Sequence, residues 1–280
     1  VRNLSKFLTS SVFCVWCSWV SSAPNSVEIP PRIVIVIDDI GQSLEYGRAA
    51  IELPGPLTFA FLPYTPHATA LSKLAEATGK DVILHAPMAN IAGIPIGKGG
   101  LYPHQSESEL KGELKKSLDS LPLVLGLNNH MGSLLTQNEQ SMRWVMEVAA
   151  ERDLFFLDSR TTSNSVAFKV AQRQGIPSLT RDIFLDHEIT YEFVDQQFLK
   201  AIELAQEKGH AIIIGHPYPV TIEYLATALP RLDELGIQLV AASAFLHQQR
   251  DIEALQEWSS DVSLHTETEA VQALSSTLSN

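Results

Sequence analysis

The run Ile33-Val34-Ile35-Val36-Ile37-Asp38-Asp39-Ile40-Gly41 constrains this chain more than any other stretch. Five consecutive β-branched apolar residues have the length and composition of a strand buried on both faces, as in a parallel sheet covered by helices. The run ends in two adjacent carboxylates and a glycine. Side chains alternate along a strand, so Asp38 and Asp39 should point to opposite faces. A turn at the strand's carboxyl end, with Gly41 free to take an unusual backbone, offers both acids a way into one pocket. A plainer reading also exists, in which Asp-x-Gly only ends a strand and opens a helix. The other strand ends bear on the choice.

From residue 31 to about residue 248, apolar strands alternate with helical patterns. After Ile33–Asp38, strands are expected at Leu57–Leu62, Asp81–Met88, Leu123–His130, Leu154–Ser159, Ser178–Thr180, His210–His216 and Gln238–Ala242. Phe184-Leu185-Asp186 reads as the continuation of the sixth strand beyond an irregularity. Helices are expected at Ser43–Glu52 with Ser43 as N-cap, and at His67–Thr78 with Ala70, Leu71, Leu74 and Ala77 on one buried face. Further helices fall at Glu107–Leu121, Glu139–Glu151, Val166–Gln174, Tyr191–Lys208 and Val220–Leu235. Ser106 with Glu109 three residues on forms a capping-box pattern ahead of the first of these. Seven or eight such β/α units suggest an α/β fold closed as a distorted (β/α) barrel over residues 31–248. An open doubly wound sheet should carry a glycine-rich nucleotide fingerprint after strand one, and Asp-Asp-Ile-Gly is not that. The glycine-rich stretch Ile91–Tyr102 is too long for a plain connection and lacks the Gly-Lys-Ser/Thr of a phosphate loop, so it reads as a functional loop.

Residues 1–23 read as an export signal. Arg2 and Lys6 open it, a mostly apolar run from Leu8 to Val20 follows, and Ser21-Ser22-Ala23 resembles a small-residue cleavage site. The expected location is therefore secreted or periplasmic, with a linker at 24–30 and membrane attachment only through an uncleaved leader. Both cysteines, Cys14 and Cys17, lie inside that segment, so the processed chain would have neither disulfides nor thiolate metal sites. The formal net charge of −12 argues against a nucleic-acid partner. Residues 249–280 turn polar and are expected to form a disordered tail.

In a (β/α) barrel, reactive groups gather where the strands end. Strand one offers Asp38 and Asp39 there, strand three His85, and strand four Asn128, Asn129 and His130. Strand five offers Asp158, Ser159 and Arg160, the sixth region Arg181, Asp182 and Asp186, and strand seven His216. Imidazoles with a carboxylate suit Zn²⁺ or a similar divalent ion. A second carboxylate and a further histidine would supply a base and an acid for metal-assisted hydrolysis. Each residue also has a plainer reading. His85 could be a core histidine bonded to backbone, Asp158 could cap the next helix, and Arg181-Asp182 could be an ion pair.

The stretches Ile37-Asp38-Asp39-Ile40-Gly41, Leu84-His85-Ala86-Pro87-Met88, Asn128-Asn129-His130-Met131-Gly132-Ser133, Phe156-Leu157-Asp158-Ser159-Arg160-Thr161-Thr162 and Gly215-His216-Pro217-Tyr218-Pro219 together resemble the polysaccharide deacetylases of the NodB-homology type. They resemble most their divergent, YibQ-like branch, over residues 30–248. The resemblance implies a NodB-like barrel, a divalent metal (usually zinc) and removal of acetyl groups from an envelope carbohydrate. It implies Asp38 as general base, Asp39 as metal ligand and His216 as acid. The usual metal-binding His-x-x-x-His does not carry over, since Ala89 and Leu134 stand four residues after His85 and His130. His85 and His130 from neighbouring strands are expected to replace that pair, with Asn128, Asp158, Ser159, Arg160 and Arg181 binding substrate or supporting the site. A noncatalytic envelope protein binding a glycan or partner through the same rim is the alternative. A metal phosphoesterase is a third.

Overall fold

The computed structural model describes residues 29–256 and 258. The expected leader, most of the linker and the chain beyond residue 258 lie outside the described residues. The elements run β1 (Arg32–Ile40), α1 (Leu44–Ile51), β2 (Thr58–Phe61), α2 (Ala68–Ala77), β3 (Asp81–Met88), α3 (Glu107–Asp119) and β4 (Gly126–Met131). They continue α4 (Glu139–Glu151), β5 (Phe155–Asp158), α5 (Ala167–Arg173), β6 (Ser178–Thr180), β7 (Ile183–Phe184), α6 (Tyr191–Lys208), β8 (His210–Gly215), α7 (Pro219–Ala228) and β9 (Gln238–Leu239). A last helix, α8, spans residues 242–256.

The strands pair in the order β6-β5-β4-β3-β2-β1-β8-β7, all parallel. β8 lines one edge of β1 from Arg32 to Ile37, so β9 and β2 share the other edge. β6 lies on β5 while β7 lies on β8. Between them, the Arg181 backbone N–H donates to the Asp158 carbonyl and that of Asp182 to the Ile212 carbonyl. One short run of chain thus crosses the seam and draws the two sheet edges into a distorted (β/α) barrel. Phe184 does not continue the sixth strand as expected but belongs to a separate strand, β7, paired with β8 across that seam.

Alternation along the strands divides the core in two. Ile33, Ile35 and Ile37 pack outward with the helices, whereas Val34, Val36, Ala60, Ile83, Leu157, Ile212 and Ile214 fill the barrel. Phe245 of α8 is fully buried with this inner set and closes the end where the strands begin. Asp81, the first residue of β3, accepts the Ser243 backbone N–H and hydroxyl at 2.8 Å each, which caps α8. The Arg32 guanidinium lies 4.5 Å from the Phe245 ring centroid. Residues 249–256, expected to open a disordered tail, instead continue this helix, because its first turns carry the barrel's floor.

Local expectations hold where the chemistry is local. The Ser43 hydroxyl accepts the Tyr46 N–H, and Ser106 and Glu109 form a reciprocal capping box. Others shift. α2 buries Ala68, Leu71, Ser72 and Ala75, while Ala70 and Ala77 are exposed. Several alanines on one helix leave its phase open to error. α7 stops at Ala228 and gives way to two 3₁₀ turns, the first containing Pro230, which has no N–H to continue a helix. β4 begins at Gly126 rather than Leu123, which is exposed.

Candidate metal centre

The phase that puts Val34 and Val36 inside the barrel carries Asp38 to its mouth. On β3 the same phase runs from Ile83 to His85, and past the end of β8 it runs from Ile212 and Ile214 to His216. Asn128 pairs in register with His85, and His130 stands two residues further along β4. Asp39 should by this count face outward. Instead its φ is +58°, and the β1–β2 register shifts between Ile37 and Ile40, after which Ile40 rejoins the outer core. A left-handed residue inside a bulge re-aims one side chain without ending the strand. The device that brings both acids to one side is therefore Asp39 itself, and β1 continues through Ile40. Gly41 does take the unusual backbone expected of it, with φ +122°, and a Cβ there would also lie 2.1 Å from Thr65 Oγ1.

Three donors converge. His130 Nδ1 lies 2.9 Å and His85 Nε2 3.2 Å from Asp39 Oδ1, and the two nitrogens are 3.1 Å apart. The His85 Nδ1–H donates to Asn128 Oδ1 at 2.6 Å, and the Asn128 amide donates to Asp38 Oδ1 at 2.8 Å. Asn128 thereby fixes the His85 tautomer, leaving Nε2 free as a ligand, and ties the ring to the second acid. On the far side, His216 Nε2 stands 3.9 Å from Asp39 Oδ2. Its Nδ1 donates to Asp186 Oδ1 at 2.9 Å, and its backbone N–H donates to Asp186 Oδ2 at 2.6 Å. The Thr221 hydroxyl completes the bonds to Asp186 at 2.8 Å.

Burial pushes the Asp38 carboxyl above the usual range, against the pull of His85 and His216. Burial opposes ionisation of Asp39 too, but His130 and His85 outweigh it and hold that carboxyl far below normal. Burial alone would lower His85, yet Asp38 and Asp39 push it up to about 9 in the absence of an ion. His216 is likewise raised, with burial outweighed chiefly by its bond to Asp186.

The donor set fits a divalent cation. A tetrahedral zinc with bonds of about 2.0–2.1 Å separates its ligands by roughly 3.3 Å, close to the spacings here. Asp39 Oδ1 is buried yet makes no well-aligned hydrogen bond, as expected of an oxygen placed for an ion. Asp39, His85 and His130 are the group of this kind among the described residues. A cavity of about 350 Å³ opens beside His130, and one of about 270 Å³ beside Asp39 and His216. A larger one, about 580 Å³, lies at the opposite end among Leu125, Phe155 and Ser243, away from these donors.

The remaining expected residues divide. Asn128 is in the site. Asp158 faces the outer layer, where it accepts the Ser165 hydroxyl at 2.7 Å and the Arg160 N–H at 2.8 Å, so it shapes the loop after β5. The Ser159 N–H donates to Asn129 Oδ1 at 2.9 Å. Arg160 is exposed, with φ +46°. Arg181 donates to the carbonyls of Ser159 and Arg160 and lies 5.0 Å from the Phe184 centroid, holding the same loop. Asp186 stood among the strand-exit residues but had no role assigned. Its partner lies 30 positions away, across a seam whose path no local pattern reveals.

Comparison with known proteins bears on the fold and the family. The chain is 40% identical over 209 residues to a protein of Haemophilus influenzae strain Rd, covering 75% of this chain and 74% of that one. It is 34% identical over 226 residues to the protein YibQ of Escherichia coli K12, covering 81% and 70%. A crystal structure of a protein from Agrobacterium tumefaciens C58 has the same fold, with a TM-score of 0.75 at 22% identity over 79% of this chain and 92% of that one. The family model described as divergent polysaccharide deacetylase matches residues 35–246. With most of the barrel matched, the chain belongs to the divergent polysaccharide deacetylase family.

Proposed function

We propose that this protein is an exported, metal-dependent deacetylase that hydrolyses N- or O-acetyl groups on an envelope carbohydrate. The observation that carries the reading is the convergence of Asp39, His85 and His130 within 2.9–3.2 Å of one another, at a mouth that also holds Asp38 and His216. Family membership supports the carbohydrate and the acetyl group, and the apolar leader with its basic start supports export.

Asp39, His85 and His130 would hold the ion, which when bound polarises the acyl carbonyl and makes a neighbouring water more acidic. Asp38 takes the attacking water's proton. Its raised pKa makes it a stronger base than an exposed aspartate, and the Asn128 amide fixes its orientation. His216, whose pKa the bond to Asp186 raises, would present Nε2–H to the leaving nitrogen or oxygen, so that acetate and the free amine or alcohol depart.

Elemental analysis of purified protein should find about one equivalent of a divalent metal, lost in Asp39→Ala, His85→Ala and His130→Ala. Asp38→Asn should keep the metal and abolish release of acetate from an acetylated oligosaccharide. Full turnover by that variant overturns the base assignment. Absence of any metal, together with no thermal stabilisation by added zinc, moves the protein to the noncatalytic glycan-binding reading.

A further inference from the structure

The cavity beside His130 has a lining with a definite electrostatic character. Twelve residues line it, none of them Asp or Glu, and Lys98 is its one Lys or Arg. In a chain of net charge −12 such a surface is distinctive. The Lys98 ammonium stands 4.4 Å from the Tyr64 ring centroid. Among the described residues it has no ion-pair partner, so its charge is directed by an aromatic face and left uncompensated.

Tyr64 and the loop that carries the exposed Lys98 are held in place. Tyr64 follows β2 with φ +60°, a backbone that a non-glycine residue keeps only where its surroundings impose it. The loop bearing Lys98 docks through Leu101, whose N–H donates to the Pro87 carbonyl while its own carbonyl accepts the Ala89 N–H, both at 2.9 Å. Gly99 lies flush against Tyr64 and Pro63, where a Cβ would come within 3.2 Å of each and 2.6 Å of Ser117 Oγ. Pro87 and His130 join the cavity to the cation site. Its volume, about 350 Å³, falls at the small end of ligand pockets, the scale of one sugar unit.

We infer that this cavity is a subsite for an acidic sugar, whose anionic substituent pairs with Lys98 on its Tyr64 perch while a neighbouring acetyl group lies at the cation site. The inference rests on the deacetylase reading for the placement of the acetyl group, and on the cavity alone for the charge. The chemistry recognised is a carboxylate or phosphate on the glycan.

Calorimetry on the zinc-loaded Asp38→Asn protein tests it without turnover. The probes are a short N-acetylglucosamine oligomer with its primary alcohols oxidised to carboxylates, the methyl ester of that acid, and the corresponding primary-alcohol phosphate. One charge-assisted contact should favour the acid or the phosphate over the ester roughly tenfold at low salt, less at high salt. Whichever anion is favoured identifies the substituent. Adding Lys98→Gln should erase the preference, Lys98→Arg and Tyr64→Phe should retain it, and Tyr64→Leu should weaken it. Equal affinity for both anions and the ester, a preference surviving Lys98→Gln, or no binding of either anion overturns the inference. If the preference depends on Lys98 but the parent hydrolyses none of the oligomers, the subsite stands and the deacetylase reading falls. Hydrolysis without any preference has the reverse meaning.

Discussion

Asp186→Asn isolates what the Asp186–His216 pair contributes. Asparagine has nearly the same volume, so the packing against Thr221 and Gly215 survives. The charge does not. All three groups around Asp186 donate to it in the native site: His216 Nδ1–H, the His216 backbone N–H and the Thr221 hydroxyl. An asparagine can accept the last two through its carbonyl, but its amide must then face His216 Nδ1 and favour the tautomer in which that nitrogen accepts. A hydrogen bond to a charged group is worth about 1.5–3 kcal/mol. At about 1.36 kcal/mol per unit, losing it lowers the His216 pKa by roughly one to two units.

The sign is fixed by which form works. If His216 is the acid, activity falls as pH rises through its pKa, so the alkaline limb of kcat should move to lower pH by that amount. The acid limb, set by Asp38, should stay. The assay is the pH profile for an acetylated amine and, in parallel, for an activated aryl acetate. The aryl oxide leaves without help, so its profile should hardly respond. Stability reports the same pKa independently. A histidine whose folded pKa is raised contributes stability that is fully present below about pH 6.5 and is lost as pH rises through the folded value. That part of the pH dependence of urea unfolding should flatten in Asp186→Asn. A uniform loss of activity with the alkaline limb unmoved would refute the reasoning and leave Asp186 a purely structural residue.

Asn128→Ala should be costly for a different reason. It strands Asp38 Oδ1 and His85 Nδ1, both buried, at about 1–3 kcal/mol each in urea unfolding, and zinc affinity should fall about 10–100-fold as the His85 tautomer is released. Chelation of the metal should lower the melting temperature. Zinc restored at a hundredfold excess over its Kd should return about 2.7 kcal/mol, and Asp39→Ala should show no such response. Phe245→Ala should destabilise the barrel by about 3–5 kcal/mol while leaving zinc affinity in isothermal titration unchanged, because Phe245 closes the end remote from Asp39, His85 and His130.

Residues whose neighbours in sequence determine their state were legible early. The β-branched run of β1, the Ser43 cap of α1 and the capping box of α3 depend on contacts a few positions apart. Once the strands are known, pleating alone carries His85, Asn128, His130 and His216 to one mouth. Long-range pairings were not legible in this way. Asp158 looked like a rim residue, and only its bonds to Ser165 and Arg160 show that it shapes a loop. Residues 249–256 looked like the start of a polar tail because only the first turns of α8, before them, are apolar, and those close the barrel. Asp186 needed the change of strand partner between β6 and β7 before His216 could reach it.

Asp39 marks the limit of pattern reasoning most clearly. Strict alternation would place one acid of the pair in the barrel and bury the other among helices, where a bare carboxylate is untenable. The chain escapes by one left-handed residue, and aspartate is among the few non-glycine types that accept that backbone readily. The residue proposed to bind the ion and the residue that bends the strand are therefore the same. Replacing Asp39 by glycine would keep the bend and lose the ligand. Replacing it by valine would lose the ligand and penalise the bend, since a β-branched side chain resists positive φ. The difference in unfolding free energy between these two variants, measured without metal, should be about 1–2 kcal/mol in favour of glycine. Equal stabilities would mean that the backbone at Asp39 is not strained and that the bulge owes its geometry to neighbouring residues.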